Sequence, residues 1–125
     1  MRDPVTKILI VDDSSFQRGI VGGILRGEGF SVITAGNGKE GIETALKESP
    51  DLLLLDLLMP EFDGYYFLRE AKALGLKAPV LILTSDIQDT TRDLCLGMGA
   101  AGLVNKPVKR DTLLSSIRAI LPGER

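Results

Sequence analysis

Asp51-Leu52-Leu53-Leu54-Leu55-Asp56-Leu57-Leu58-Met59-Pro60-Glu61-Phe62-Asp63-Gly64 places one carboxylate, Asp56, directly after an unbroken run of four leucines. A short continuous apolar run bounded by breakers reads as a strand buried on both faces, the kind found in parallel sheets. Pro60 cannot continue a hydrogen-bonded ladder and Gly64 tolerates positive φ, so the chain is expected to turn out of the sheet just after Asp56. In open parallel sheets, ligands bind beyond the carboxyl ends of the strands, where strand order reverses. Asp56 is therefore placed for chemistry at a strand end.

Working outward, the pattern repeats. After a loose lead-in over Met1 to Thr6, Lys7 to Val11 form an apolar strand ending in Asp12-Asp13-Ser14-Ser15. Phe16, Ile20, Ile24 and Leu25 then recur at helical spacing behind Ser14 or Ser15 as N-cap. Gly19, Gly22 and Gly23 each cost such a helix about 1 kcal/mol relative to alanine, so it leans on tertiary packing. Gly29 breaks it, Phe30 to Thr34 read as a strand, and Gly38 to Glu48 as a helix begun by Asn37 or Gly38, with Ile42, Ala45 and Leu46 on one face. Downstream, Asp63-Gly64 reads as a turn and helix cap. Gly64 to Ala73 carry Tyr65, Leu68 and Ala71 or Lys72 in helical register, closed by Gly75. Pro79 leads into a strand from Val80 to Thr84. Asp89 to Met98 form a helix capped by Asp86 or Asp89, Leu103 to Lys106 a strand, and Asp111 to Leu121 a helix with Leu113, Leu114, Ile117, Ile120 and Leu121 inward, stopped by Pro122-Gly123. Met59 and Met98 read as core filler, and Phe62, Tyr65 and Tyr66 as half-buried packing or a partner surface.

Strict alternation of five strands with five helices calls for right-handed βαβ units. The fold class is α/β: a doubly wound parallel sheet with helices on both faces. A length of 125 residues with 44% hydrophobic content suits one domain over 1–125, its core at about 6–121. A net charge of −2 and the absence of tryptophan disfavour nucleic-acid binding by this chain. No apolar run approaches membrane-spanning length and no signal segment precedes the first strand. Cys95 is the single cysteine, so it closes no intramolecular disulfide; it reads as a buried structural thiol in a reducing compartment, and the cytoplasm is the expected location. Pro122-Gly123-Glu124-Arg125 reads equally as a true terminus or as the cut edge of a larger protein.

The strand ends alone spell Asp12 and Asp13, Asp56, Thr84 and Lys106, and in a parallel sheet they all point the same way. Any one of them has an ordinary reading: Asp12-Asp13 as a solvated helix cap, Asp56 as a turn starter, Thr84 as a strand residue, Lys106 as a surface charge. Together they do not. Three gathered carboxylates repel one another, and Lys106 offsets one charge. A hard divalent cation with oxygen ligands offsets the rest, and magnesium suits a site of few carboxylates completed by water and phosphate oxygens. Histidine is absent. With a cation bound, the site attracts a phosphoryl group, and Asp56 becomes a candidate nucleophile forming an aspartyl phosphate, with the cation, Lys106 and the Thr84 hydroxyl stabilising the equatorial oxygens.

These residues closely resemble the receiver domain of two-component response regulators, the family that includes the chemotaxis response regulator. The resemblance spans essentially the whole chain and rests on Ile-Leu-Ile-Val-Asp12-Asp13-Ser, on Asp56 in Leu-Asp-Leu-Leu-Met-Pro-Glu-Phe-Asp-Gly, on Thr84 in Leu-Ile-Leu-Thr-Ser, and on Gly-Ala-Ala-Gly-Leu-Val-Asn-Lys106-Pro107. It implies a flavodoxin-like five-stranded sheet in the order 2-1-3-4-5. It implies that Asp56 accepts phosphate from a sensor histidine kinase or phosphotransfer protein, and that Asp13, Asp56 and the Leu58 carbonyl bind magnesium directly, with manganese as a substitute and Asp12 acting mainly through water. Lys106 would contact the phosphoryl group, Thr84 would swing toward it, and the Lys106-Pro107 bond is often cis. Gain and loss of phosphate would be self-catalysed, with no separate substrate, and a downstream target would dock on the fourth helix, fifth strand and fifth helix. One position departs from the pattern. Leu103 stands where many receivers carry an aromatic switch residue, so either Leu103 makes a smaller packing change or output runs through the Thr84-Ser85 loop and the following helix alone. Leu58, two residues beyond the acceptor, and Asp86, two beyond Thr84, occupy positions that tune water access to the phosphate.

Three rivals remain at this stage. A flavodoxin-like flavin binder needs a hydroxyl- and glycine-rich loop where this chain has Asp12-Asp13. A haloacid-dehalogenase-type phosphatase carries its aspartate after the first strand and needs a lid. A degenerate receiver, acting as a phosphorylation-independent binding module, is opposed by the intact acidic set and favoured by Leu103.

Overall fold

The β-branched and leucine-rich runs form strands because their side chains fill both faces of one sheet. The computed structural model of the protein describes residues 5–121, in which strands and helices alternate as expected from the sequence. The strands are β1 (Lys7–Val11), β2 (Ser31–Ala35), β3 (Leu52–Asp56), β4 (Val80–Thr84) and β5 (Gly102–Asn105); the helices are α1 (Ser15–Gly27), α2 (Gly38–Glu48), α3 (Gly64–Leu74), α4 (Asp89–Gly97) and α5 (Arg110–Ile120). All neighbouring pairs are parallel, in the order β2-β1-β3-β4-β5, so β3 lies in the middle. The proposed stop at Pro122-Gly123 and the start of the lead-in at Met1 lie outside the described residues.

Side chains alternate strictly along the central strands. Leu9, Val11, Leu53, Leu55 and Ile82 pack beneath α2 and α3, where Phe67, buried completely, is the largest contributor. Ile8, Ile10, Leu52, Leu54, Leu81 and Leu83 pack on the other face against Val21 and Leu25 of α1 and Leu113, Leu114 and Ile117 of α5. Each helix therefore needs only one apolar stripe, whereas the central strands need both faces apolar. Met59 is buried in the first cluster and Met98 packs against it, as expected of filler.

Four helix readings change. Phe16 and Ile20 of α1 are exposed, and Val21, Gly22 and Leu25 face the sheet instead. Gly22 lies inward, where a Cβ would meet the flexible end of the Arg26 side chain at 3.1 Å and Val32 at an ordinary 3.7 Å. Leu46 is exposed while its neighbours Ile42 and Ala45 are buried. On α3, Phe67 joins Leu68 and Ala71 as the buried face. The N-cap of α4 is Gln88 and makes no side-chain capping bond. Lys109, the N-cap of α5, makes none either, whereas the caps of α1, α2 and α3 agree with their chemistry. The side chains of Ser14, Asn37 and Asp63 accept from the backbone N–H groups of Gln17, Glu40 and Tyr66, satisfying donors that the first helical turn leaves free. Among the described residues, no helix is long and apolar enough to cross a membrane.

Candidate functional site

In the β1–β3 ladder Val11 lies beside Leu55, so Asp12, just past β1, and Asp56, the last residue of β3, stand side by side at the carboxyl edge of the sheet. One carboxylate oxygen from each of Asp12, Asp13 and Asp56 falls within a group spanning 4.8 Å. Asp12 and Asp56 are buried and Asp13 is exposed, so the group opens toward solvent through Asp13.

Lys106 reaches this group from β5. Its backbone N–H donates to the Thr84 carbonyl at 2.9 Å, continuing the ladder one residue beyond Asn105. From there Nζ lies 3.3 Å from Asp12 Oδ2 and 3.3 Å from Asp56 Oδ1. One ammonium thus serves two buried carboxylates. Burial holds the Asp56 carboxyl above its ordinary pKa; Lys106 pulls it down and the charge of Asp12 pushes it up again. A desolvated, oxygen-only set with more negative charge than one lysine offsets fits a hard divalent cation.

Asp12 is the most heavily anchored of the three. Its N–H donates to the Ala35 carbonyl at 3.1 Å, its Oδ1 accepts from the Ser14 N–H at 2.9 Å, and its carbonyl accepts from Arg18 Nη1 at 2.6 Å. Arg18 had no role in the sequence reading, because a mid-helix arginine looks like any solvated charge. The Asp56 Oδ1 accepts weakly from the Leu58 N–H at 3.4 Å, which brings the Leu58 backbone to the rim while its side chain is exposed.

The turn after β3 is built differently from expectation. Gly64 does not adopt positive φ; the left-handed residue of this segment is Glu61, at φ 64°. Gly64 is required by close approach, since a Cβ there would lie 2.7 Å from the Asp56 carbonyl oxygen and 2.8 Å from Leu57 Cα. Its N–H donates to the Leu57 carbonyl at 2.9 Å, fastening the start of α3 against the strand that carries Asp56.

Thr84 is buried at the end of β4, and its Oγ1 accepts from the Asp86 N–H at 3.0 Å. Asp86 in turn accepts from the Gln88 N–H at 3.1 Å and from the Thr91 hydroxyl at 2.7 Å, so its carboxylate is held below the ordinary pKa by these two donors. Ser85 is exposed. Leu103 lies beside Ile82 in the sheet and is half-buried against the cluster that contains Cys95. The Lys106-Pro107 bond is cis. Cys95 is buried, and its burial raises the thiol pKa.

Comparison with known proteins agrees with this geometry. The sequence profile of the response regulator receiver domain matches residues 8–118. Protein PilH of Pseudomonas aeruginosa is 36% identical over 121 residues, covering 95% of this chain and 100% of the relative. Chemotaxis protein CheY of Bacillus subtilis is 34% identical, covering 92% and 97%. Against the cell cycle response regulator CtrA of Brucella abortus, 35% identical, this chain spans only 50% of the relative's length. Among solved structures, chemotaxis protein CheY4 of Vibrio cholerae superposes with a TM-score of 0.89 at 29% identity, covering 94% of this chain and 99% of that one. CheY in the CheX-CheY-BeF3-Mg complex of Borrelia burgdorferi gives 0.89 at 28% identity, covering 93% and 89%. With its acidic cluster, buried threonine and lysine at the carboxyl edge of a 2-1-3-4-5 sheet, the chain belongs to the response regulator receiver domain family of two-component signalling.

Proposed function

We propose that the protein, as a single receiver unit in the cytoplasm, accepts a phosphoryl group on Asp56 from a sensor histidine kinase or phosphotransfer protein in a magnesium-dependent step, and thereby switches its binding to a downstream target. The observation that carries this reading is the clasp of Lys106 on Asp12 and Asp56 at the mouth of a three-carboxylate group.

In the proposed step an Asp56 carboxylate oxygen attacks phosphorus in line with the donor's P–N bond. The O–P bond forms as the P–N bond breaks, and the histidine ring leaves with the electron pair and takes up a proton. Asp12, Asp13, Asp56 and the Leu58 carbonyl would hold magnesium, or manganese in its place; when bound, the ion offsets the carboxylates and stabilises charge on the phosphoryl oxygens. Lys106 already faces Asp56 and would exchange a carboxylate contact for a phosphoryl oxygen. The Thr84 hydroxyl would leave the Asp86 N–H and turn toward the same group, carrying Ser85 and the start of α4 with it, while Leu103 repacks. Attack by water on phosphorus then forms a new O–P bond as the P–O bond to Asp56 breaks, releasing inorganic phosphate and a proton and restoring the carboxylate, so the chain resets with no separate substrate. The α4–β5–α5 face is the proposed docking surface for the target. The beryllium fluoride and magnesium named with the Borrelia relative support this reading.

Incubation with a small phosphodonor and magnesium should give a mass gain of one phosphoryl group in the wild-type chain and none in Asp56→Asn. A wild-type chain that gains nothing would be a binding-only receiver.

A further inference from the structure

We propose that Arg18 is a positioning residue for the acidic pair: by gripping the Asp12 carbonyl it sets the peptide plane from which Asp13 projects beside Asp56. This rests on the reading of Asp12, Asp13 and Asp56 as a cation site.

β1 ends at Val11 and α1 begins at Ser15, so the Asp12 carbonyl belongs to neither element. The Ser14 carbonyl is taken by the Arg18 backbone N–H at 3.0 Å, and the Asp12 carbonyl by the Arg18 side chain at 2.6 Å. One residue, a turn into the helix, therefore closes two of the three carbonyls of the connection, those of Asp12 and Ser14. A guanidinium donor makes a stronger bond than a neutral one and reaches where no backbone N–H can. The guanidinium lies at the end of β2 as well, with Nη1 3.9 Å from where a Gly36 Cβ would sit. Asp12 is consequently held from β2 through its N–H and from α1 through its carbonyl.

The carbonyl of Asp12 and the N–H of Asp13 share one rigid peptide plane. Among the described residues, the Asp13 side chain makes no hydrogen bond or ion pair, so its place near Asp56 is set by its backbone. Two cationic side chains then divide the work. Lys106 pairs with carboxylates; among the described residues the Arg18 side chain hydrogen-bonds a carbonyl alone and leaves the oxygens of Asp13 to a ligand. Groups that orient metal ligands from behind carry roughly tenfold or more in metal affinity.

The test uses the full chain as wild type, Arg18→Ala and Arg18→Lys, with manganese as the probe. Manganese affinity is read from paramagnetic broadening of backbone amides around Asp12, Asp13 and Asp56, and phosphorylation by a small phosphodonor is followed across the same titration. Arg18→Ala should bind manganese about tenfold more weakly, Arg18→Lys should recover part of that loss, and the labelling rate at saturating manganese should approach wild type. Manganese affinity unchanged in a folded Arg18→Ala overturns the proposal, as does an equal loss of affinity and saturated rate with no rescue by lysine. If Arg18→Ala does not fold, wild-type manganese affinity in both Arg18→Lys and Arg18→Gln overturns it, and a graded loss supports it. Failure of the phosphoacceptor reading looks different: wild type would bind manganese yet never label.

Discussion

Asp56 sits where a carboxylate is costly in free energy and useful in chemistry. Its ordinary pKa of 3.8 is raised by burial, so the folded chain holds a proton more tightly than the unfolded chain does. For a group shifted in that direction, stability is greatest below the unfolded value and declines as pH rises through the folded one. In chelator at pH 7, Asp56→Asn should therefore be more stable than wild type, the difference shrinking toward acid. Urea titrations across pH would check this, and an asparagine variant weaker than wild type at neutral pH would contradict it. Residues such as Asp56, Thr84 and Lys106 were legible because each stands at the end of an apolar run, where polarity changes abruptly. Arg18 was not, because a side chain that binds a carbonyl leaves no pattern in the sequence. Gly64 was marked correctly as special for the wrong reason: positive φ and close approach both select glycine, and only the fold separates them.

At the scale of elements, α4 differs from the other helices in burying one residue alone, Cys95, while Leu94 and Leu96 are exposed. Like α5, it has an N-cap that contributes no side-chain bond. The Asp86 carboxylate supplies what the cap lacks, through the Gln88 N–H and the Thr91 hydroxyl. Asp86→Ala should speed amide exchange in the first turn of α4 while leaving α3 and α5 unchanged; uniform acceleration, or none, would show that the helix is held elsewhere. Because these donors lower the Asp86 pKa, the anchoring is complete above the ordinary value of 3.8 and is lost as pH falls through the lowered one. Amide shifts of Thr91 followed into acid should report that loss. Element types and order were readable because both-face burial demands continuous apolar strands and one-face burial demands striped helices. The stripe of α1 misled, since Phe16 and Ile20 have helical spacing but lie on the face that Gly22 leaves outward.

Over the whole molecule, affinity for a divalent ion is also a term in folding. A cation that binds only the folded chain at a hundred times its dissociation constant adds about 2.7 kcal/mol of stability. Magnesium should therefore raise the urea midpoint of the wild-type chain, chelator should remove the gain and abolish phosphodonor labelling together, and Asp56→Asn should show a smaller gain. Labelling that persists in excess chelator would detach the chemistry from the acidic group. The alternation of strands with helices made the architecture legible, whereas the sheet order came from resemblance, because nothing local in the chain says which strand lies in the middle.

That middle position has an outcome of its own. With β1 on one flank of β3 and β4 and β5 on the other, the tip of the central strand faces two unlike walls, one carboxylate and one hydroxyl and ammonium. In the proposed switch, a newcomer at that tip would be gripped on the left by groups that stay in place and met on the right by Thr84 and Lys106, which would have to rearrange. News of its presence would accordingly spread in a single direction, toward the β5 margin of the sheet.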